Sequence, residues 1–286
     1  MCFQIRIVFV IIVCLFPVSQ LFAQTFPKAK NAIRILTYNT HYCKGATDPG
    51  AINKENTEKL AQVIRTMDAD IVALQELDSA SVHRGSRYLL KEIADATGVE
   101  YVPVYGNAAL FDGGSIGCGV LIKKNLPIRK KEIIHLPGDE TRAAVKVELK
   151  NLIFIGTHAD LNDKMRTEGA QIVCDNIKDE NKIVLLAGDL NDSHRWTNGG
   201  IAFPVWLESF SVISDVVGNS IPGRTDDGAL IDYILLAKNK KASKVKVLQT
   251  HILRSLSVDG KEIDTATISD HYPVFVDIKF FSNEMF

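Results

Sequence analysis

The sequence predicts an α/β protein of stacked sheets with helices on the outside. Three observations carry that expectation. Apolar, β-branched runs of strand length recur along the whole chain, amphipathic helical stripes fall between some of them, and at least one pair of runs is separated by too little chain for a crossover. Strand–helix alternation mixed with hairpins suits layered sheets and excludes a pure βαβ barrel.

The strand-like runs are 33–38, 71–75, 101–105, 119–123, 143–149, 152–157, 183–188, 230–236, 244–250 and 273–280. Val145, Val147 and Leu149 alternate with Lys146, Glu148 and Lys150, the period of a half-covered strand, and Asn151 is short enough for a tight hairpin into the next run. Residues 183–187 (IVLLA) are apolar throughout, as in a strand covered on both faces. Helices are expected at 53–67, with Leu60, Val63, Ile64 and Met67 on one stripe, and at 164–178, with Ala170, Val173, Cys174 and Ile177. A third is expected at 86–97, carrying Leu89, Leu90 and Ile93 and stopped by Gly98. There is no Pro/Ser-rich tract, charge block or repeat, so residues 24–286 read as one domain.

The first residues do not belong to that fold. Arg6 precedes an unbroken apolar run, 7–16, and 17–23 ends in Ala23. This is the layout of a secretory signal peptide, residues 1–23, with an apolar core short for a membrane span. Leu21 at the −3 position leaves the cleavage point less defined than the export itself. Export implies a periplasmic or extracellular protein. Removing the leader takes Arg6 only and moves the formal charge from −1 to −2, which gives no global drive toward nucleic acid or anionic membrane. Cys43, Cys118 and Cys174 remain, too far apart for a Cys-x-x-Cys metal site, and read as buried thiols or at most one bridge.

The chemistry lies in short polar clusters at the ends of the apolar runs: Tyr38-Asn39, Gln75-Glu76, Thr157-His158-Ala159-Asp160, Gly188-Asp189-Leu190-Asn191, Ile231-Asp232-Tyr233 and Ser269-Asp270-His271-Tyr272-Pro273. Carboxylates, carboxamides and imidazoles without cysteine suit a hard divalent cation and a phosphate ester. Taken singly each cluster has an ordinary explanation. Asn39 is a turn-former, Glu76 a solvated strand exit, His158 a hydrogen-bonded structural residue, and Asp189 with Asn191 an Asx-turn. Asp160 reads as a cap or a salt bridge to Arg166. Asp232 is the sharpest anomaly, because a carboxylate among Leu230, Ile231, Ile234 and Leu235 needs a partner such as an imidazole N–H.

Taken in order, the six clusters resemble the endonuclease/exonuclease/phosphatase superfamily of metal-dependent phosphoesterases, over essentially the whole mature chain. That superfamily includes DNase I-like nucleases, AP endonucleases, bacterial sphingomyelinases and inositol polyphosphate phosphatases. The resemblance implies a four-layer α/β/β/α sandwich, with two stacked, mostly antiparallel mixed sheets flanked by helices. It further implies metal binding by Asn39, Glu76 and Asp270, with Mg²⁺ or Mn²⁺ as the cofactor. Asp189 and Asn191 correspond to the pair that positions the attacking water and phosphoryl oxygens. His271 corresponds to a histidine oriented by Asp232, and His158 to one on the phosphoryl side. His271 is the expected base, with Asp189 competing for that role.

One departure from the family pattern stands out. Leu230 occupies a place where many members have Arg, with Arg224 upstream as a substitute. Arg142, Asp160 and Trp196 are candidate substrate-side residues, their ordinary readings being surface charge, ion pair and packing. Trp196 and Trp206 follow Asn191 and would stack on a base or sugar if they face the site, whereas Phe203, Val205 and Trp206 would otherwise begin a short packing helix. The expected activity is hydrolysis of a phosphodiester by activated water, by a monomer without an obligate protein partner. A secreted nuclease, a sphingomyelinase-type lipid phosphodiesterase and a phosphomonoesterase on a sugar or inositol phosphate remain open. A non-catalytic phosphate-binding module predicts a missing metal or base residue, and none is missing.

Overall fold

The computed structural model describes residues 25–46 and 52–281, so the expected leader, 1–23, lies outside the described residues. In chain order the first half comprises β1 (Ile33–Asn39), α1 (Lys54–Thr66), β2 (Ile71–Ser79), α2 (Leu89–Thr97), β3 (Tyr101–Phe111), β4 (Gly114–Lys123), β5 (Lys130–Leu136) and β6 (Arg142–Glu148). Then come β7 (Leu152–His158), α3 (Asp163–Ile177), β8 (Ile183–Asp189), α4 (Phe203–Ser209), β9 (Phe210–Val212) and β10 (Asp232–Ala237). The chain closes with β11 (Val245–Ile252), β12 (Ser255–Val258), β13 (Lys261–Asp264) and β14 (Val274–Phe280). Among the described residues no helix is long and apolar enough to cross a membrane.

Two six-stranded sheets form, in the orders β11-β14-β1-β2-β4-β3 and β5-β6-β7-β8-β10-β9. Among the described residues β1–β2 and β7–β8 are the only parallel pairs in these sheets; the other pairings are antiparallel. The alternation within strands sorts side chains into three apolar layers. Ile35, Ala73, Val120, Val145, Phe154, Leu185 and Ile234 meet between the sheets. Leu36, Val72 and Leu74 turn outward onto α1 and α2, and Ile153, Val184, Leu186 and Leu235 turn outward onto α3 and α4. The result is the four-layer sandwich. Because Lys146 is on the α3-facing side, it is nearly buried and donates to Asn176 and Glu180 instead of facing solvent.

Helix ends follow local chemistry. Asn53 accepts from Asn56 N at 2.8 Å to start α1, and Asn162 accepts from Lys164 N and Met165 N to start α3. Gly98, at φ 67°, ends α2 in the left-handed conformation that other residues resist. The 149–152 turn closes through Leu149 N to Leu152 O at 2.8 Å, as the hairpin reading requires. Four strands escaped the sequence reading: β5, β9, β12 and β13. β5 hides its apolar set in Lys-Lys-Glu-Ile-Ile-His-Leu, and β9 and the β12–β13 hairpin are too short to show a period.

At the end of β1 where the chain enters the sheet, Arg34 and Asp277 form a fully buried, bidentate pair, with Nε to Oδ1 at 2.6 Å and Nη2 to Oδ2 at 2.8 Å. The Arg34 Nη1 group donates to the carbonyls of Phe26 and Met67. Gln249 Nε2 donates to Pro27 O and to Asp277 Oδ2, and the Phe26 ring packs edge-on against Phe275. Residues 26–28 are therefore fastened across the sheet, with Lys28 paired to Asp68 and Asp70.

Candidate active site

Strand register brings the polar clusters to one edge of the sandwich. Parallel pairing sets Asn39 beside Gln75 in one sheet and His158 beside Asp189 in the other. Antiparallel pairing then puts Asp232, the first residue of β10, opposite Asp189, and starts β14 opposite Thr37, so that Asp270 and His271 precede it at the same edge. The two sheets are joined directly by Asn39, whose Nδ2 donates to Glu76 Oε1 and to Asp189 Oδ2, each at 3.1 Å.

Glu76 reaches this point through a β-bulge. The β2–β4 register shifts between Leu74 and Leu77, and Glu76 adopts φ 52°. An inserted residue re-aims a side chain that regular pleating would send elsewhere. Thr40 Oγ1 holds the bulge by donating to the carbonyls of Gln75 and Glu76 at 3.0 and 2.7 Å. Left-handed backbone also occurs at His41, Tyr42 and Cys43 (φ 46°, 51° and 55°) and at Asn191 (φ 49°). Such a concentration of strained residues is held by the surrounding hydrogen bonds.

Asp232 is fully buried and accepts from His271 Nδ1 at 2.8 Å; its other oxygen has no hydrogen-bond partner. Ser220 fixes both segments: its Oγ accepts from the backbone N–H groups of Ile231 and Asp232, and its carbonyl accepts from Tyr272 N. His271 Nε2 then faces Asp189 Oδ2 at 3.8 Å. Burial pulls the His271 imidazolium down, but the Asp232 carboxylate, its hydrogen bond and the nearby Asp189 and Asp270 outweigh that and push it up to about 10. Burial and the Asp232 charge push Asp189 up to about 7, against the opposing pull of His271 and of the hydrogen bonds from Asn191 and Asn39.

On the other side, Asn191 Nδ2 donates to Ala159 O at 2.9 Å and contacts His158 Nε2 at 3.1 Å. With Nδ2 as the donor, His158 carries its proton on Nδ1, an assignment that follows from the network. Burial, then the charges of Arg142 and His271, holds the His158 imidazole neutral, well below its ordinary range. Asp189 Oδ1 accepts from Asn191 N at 2.9 Å, so this pair is an Asx-turn and part of the site at once.

Every expected central residue (Asn39, Glu76, His158, Asp189, Asn191, Asp232, Asp270 and His271) therefore reaches one cluster. Asp270 is its most open member, its side chain 45% exposed, and it is tethered through Ser269 Oγ, which also donates to Asn39 O. Peripheral expectations fare less well. Asp160 pairs with Arg142, its Oδ2 accepting from Nε at 3.2 Å, and not with Arg166, which reaches only the Asp160 carbonyl and pairs with Asp163. Asp160 turns back under Asn162 N, which its Oδ1 accepts, and that points the carboxylate toward β6. Trp196 lies beneath the Arg166 guanidinium at 5.7 Å, and Trp206 is buried in the core as part of α4, the packing alternative. Arg224 forms an exposed pair with Asp226, two residues away, and does not stand in for the arginine that Leu230 replaces. The sequence reading missed Tyr42, which lines a recess with Glu76 and His158, and Arg84, stacked 4.2 Å over the Tyr42 ring. No periodicity or composition signal marks either.

Two groups of donors could hold a metal ion. Glu76 and Asp270 offer carboxylate oxygens and suit a hard cation; the Asn39 carboxamide stands beside them, its Nδ2 on Glu76 and its Oδ1 accepting from His41 N at 3.1 Å. Asp189, Asp232 and His271 present ligand atoms within 4.8 Å of one another, but their Nδ1 and Oδ2 atoms are spent on each other. The three Cys43, Cys118 and Cys174 thiols are free and buried.

A four-layer sandwich whose two sheets pool carboxylates, carboxamides and imidazoles at one edge is the arrangement a phosphoester hydrolase needs. The Endonuclease/Exonuclease/phosphatase family model matches residues 36–271, and the chain belongs to that family. Comparison with curated proteins gives no significant match. Among solved structures, an endonuclease/exonuclease/phosphatase family protein from Bacteroides thetaiotaomicron is 18% identical, with 91% of this chain and 99% of that one covered at a TM-score of 0.67. A mannosyl-6-phosphatase of the same organism is 19% identical, covering 87% of this chain and 100% of its own (TM-score 0.66). D. rerio TDP2 complexed with single strand DNA product is also 19% identical, with the same coverages and a TM-score of 0.61. At these identities the likeness is one of fold.

Proposed function

We propose that this chain is a divalent-metal-dependent phosphoesterase that hydrolyses its substrate by in-line attack of water on phosphorus. The observation that carries the reading is the Asn39 bridge: one carboxamide ties Glu76 to Asp189, and Asp189 abuts the buried Asp232–His271 pair. Mg²⁺ or Mn²⁺ held by Glu76 and Asp270, with Asn39 beside them, would stabilise charge on the phosphoryl group and leaving oxygen. The protein's own groups do the rest. Asp189, lifted into the neutral range, accepts the proton of the attacking water. His271, kept protonated by Asp232, balances the charge on Asp189 and orients it. This gives the base role to Asp189, with His271 as its partner. His158 stands on the phosphoryl side as a neutral hydrogen-bonding group, its ring fixed by Asn191 and its Nε2 3.5 Å from Asp189 Oδ2. The P–O ester bond breaks on the far side, and the leaving oxygen takes its proton from solvent.

The reading extends to an exported enzyme, on the strength of the leader composition. Hydrolysis of p-nitrophenyl phosphate and bis-p-nitrophenyl phosphate with Mg²⁺ tests it. Chelation should abolish turnover and Mg²⁺ restore it, and His271→Ala should cost several orders of magnitude in kcat. Full activity after either treatment removes the assignment.

A further inference from the structure

A near-neutral formal charge conceals a one-sided distribution. From Tyr233 to Val258 the chain carries Lys238, Lys240, Lys241, Lys244, Lys246 and Arg254 and no acidic residue. The five lysines fall on the β10–β11 connection and the start of β11. β10 leaves the site at Asp232 and ends at Ala237, and β11 starts opposite Phe280, the last residue of β14. The lysines therefore stand at the pole away from the cleft, roughly 17 Å from it at the usual strand rise. Lys238, Lys240, Lys244 and Lys246 are exposed, as is Lys279 on β14. Among the described residues none of these ammonium groups meets a carboxylate; Lys238 Nζ donates to Leu207 O, and the other four make no hydrogen bond. Their backbone is held nonetheless. Asn239 Nδ2 donates to Lys182 O at 2.8 Å, Asn239 Oδ1 accepts from Lys241 N at 2.9 Å, and Lys244 O accepts from Phe281 N at 3.0 Å.

Two further observations point to what meets that array. Lys246 and Lys279 are direct partners across the antiparallel β11–β14 pair. Like charges placed opposite each other destabilise a sheet, and an anion from outside the chain removes the cost. Apolar side chains also stand among the lysines. Phe281, the residue after β14, is 69% exposed, and Val247, where the β11 register shifts, is 37% exposed. Lysines around exposed apolar groups match a bilayer interface, where ammonium groups meet lipid phosphates and the apolar side chains enter the headgroup layer. A polynucleotide on this pole would lie a strand's length from the polar cluster, and a duplex would leave both apolar side chains in water. We infer that the β10–β11 loop and the β11–β14 edge dock the protein on an anionic phospholipid surface, with the cleft turned to the aqueous side.

The test is co-sedimentation of the full chain with vesicles of phosphatidylcholine alone, or of phosphatidylcholine and phosphatidylglycerol in equal parts, at low and high salt. Every variant carries the same residues 1–23, so whatever they contribute cancels from the comparison. Wild type should partition more strongly to the anionic vesicles, and high salt should remove the difference. A lysine beside an anionic surface is worth about fivefold, so Lys246→Gln/Lys279→Gln should lose about 25-fold, and adding Lys244→Gln about 100-fold in all. The double variant should unfold at the same temperature or a higher one, whereas a structural role for the pair predicts a lower one. Phe281→Ser should weaken partition about tenfold. Hydrolysis of p-nitrophenyl phosphate should be unchanged in the lysine variants and on adding vesicles. Equal partition to both vesicle types, or an anionic preference that survives the lysine substitutions, overturns the inference. So does hydrolysis blocked by bound vesicles, which places the contact at the cleft. Tighter binding to duplex DNA that ignores Phe281→Ser also overturns it, and makes this pole a polynucleotide surface.

Discussion

Asp232→Asn isolates the electrostatic part of the site. The substitution keeps the side chain's shape and its capacity to accept from His271 Nδ1, now 2.8 Å away, but removes the charge. That charge acts on the imidazole and on Asp189, and the second carboxylate oxygen has no hydrogen-bond partner among the described residues. Opposite charges centred about 4 Å apart, at an effective dielectric of about 20, interact by about 4 kcal/mol. If the imidazolium is needed to balance Asp189 as it takes up a proton, that energy converts to about a thousandfold in kcat. The His271 pKa, held at about 10, should drop toward or below the ordinary imidazole value, since burial alone pulls it down. The assay is steady-state hydrolysis of p-nitrophenyl phosphate with saturating Mg²⁺, with histidine titration by NMR and an unfolding curve to separate chemistry from misfolding. A correctly folded Asp232→Asn enzyme within tenfold of wild-type kcat would refute the electrostatic argument.

The remaining predictions are more compact. Glu76→Gln preserves the acceptor for Asn39 but not the anionic ligand, so the Mg²⁺ concentration for half-maximal activity should rise at least about tenfold; an unchanged metal curve moves the cation elsewhere. Arg34→Met strands the buried Asp277 charge and should cost about 3–5 kcal/mol in urea unfolding, much of it recovered by adding Asp277→Leu. A loss below 1 kcal/mol in the single variant contradicts that view. Burial pushes Cys43 and Cys118 to about 12 and Cys174 to about 11, so at pH 8 these thiols should react with Ellman's reagent only after denaturation. Fast labelling of the native enzyme would show that the core opens.

Much of the centre was legible because its residues sit where apolar periodicity stops. A carboxylate separated only by Gln75 from the apolar stretch Ile71-Val72-Ala73-Leu74, or between Ile231 and Tyr233, conflicts with its surroundings, and the shared polar cluster resolves the conflict. What could not be read was placement that depends on backbone irregularity or on distant partners. The bulge that turns Glu76 inward leaves no mark in Gln75-Glu76-Leu77. The Arg142–Asp160 pair spans two strands, so the nearer Arg166 looked the better partner. Tyr42 gains its position from three successive left-handed residues with no glycine among them, and Arg84 from rings 42 residues upstream and 27 downstream. Strand β5 was hidden for a related reason, its lysines and glutamate masking an apolar face that only the neighbouring sheet reveals.

The fastening of residues 26–28 has a bearing on how the enzyme meets its substrate. Those residues are moored at the entry end of β1, whereas Asn39 stands at its exit, a separation of roughly 20 Å at the usual strand rise. Any tether attached ahead of residue 25 therefore pulls on the entry end of β1, the end opposite the one that carries Asn39. Immobilised or membrane-attached by that route, the molecule would still present its open mouth outward.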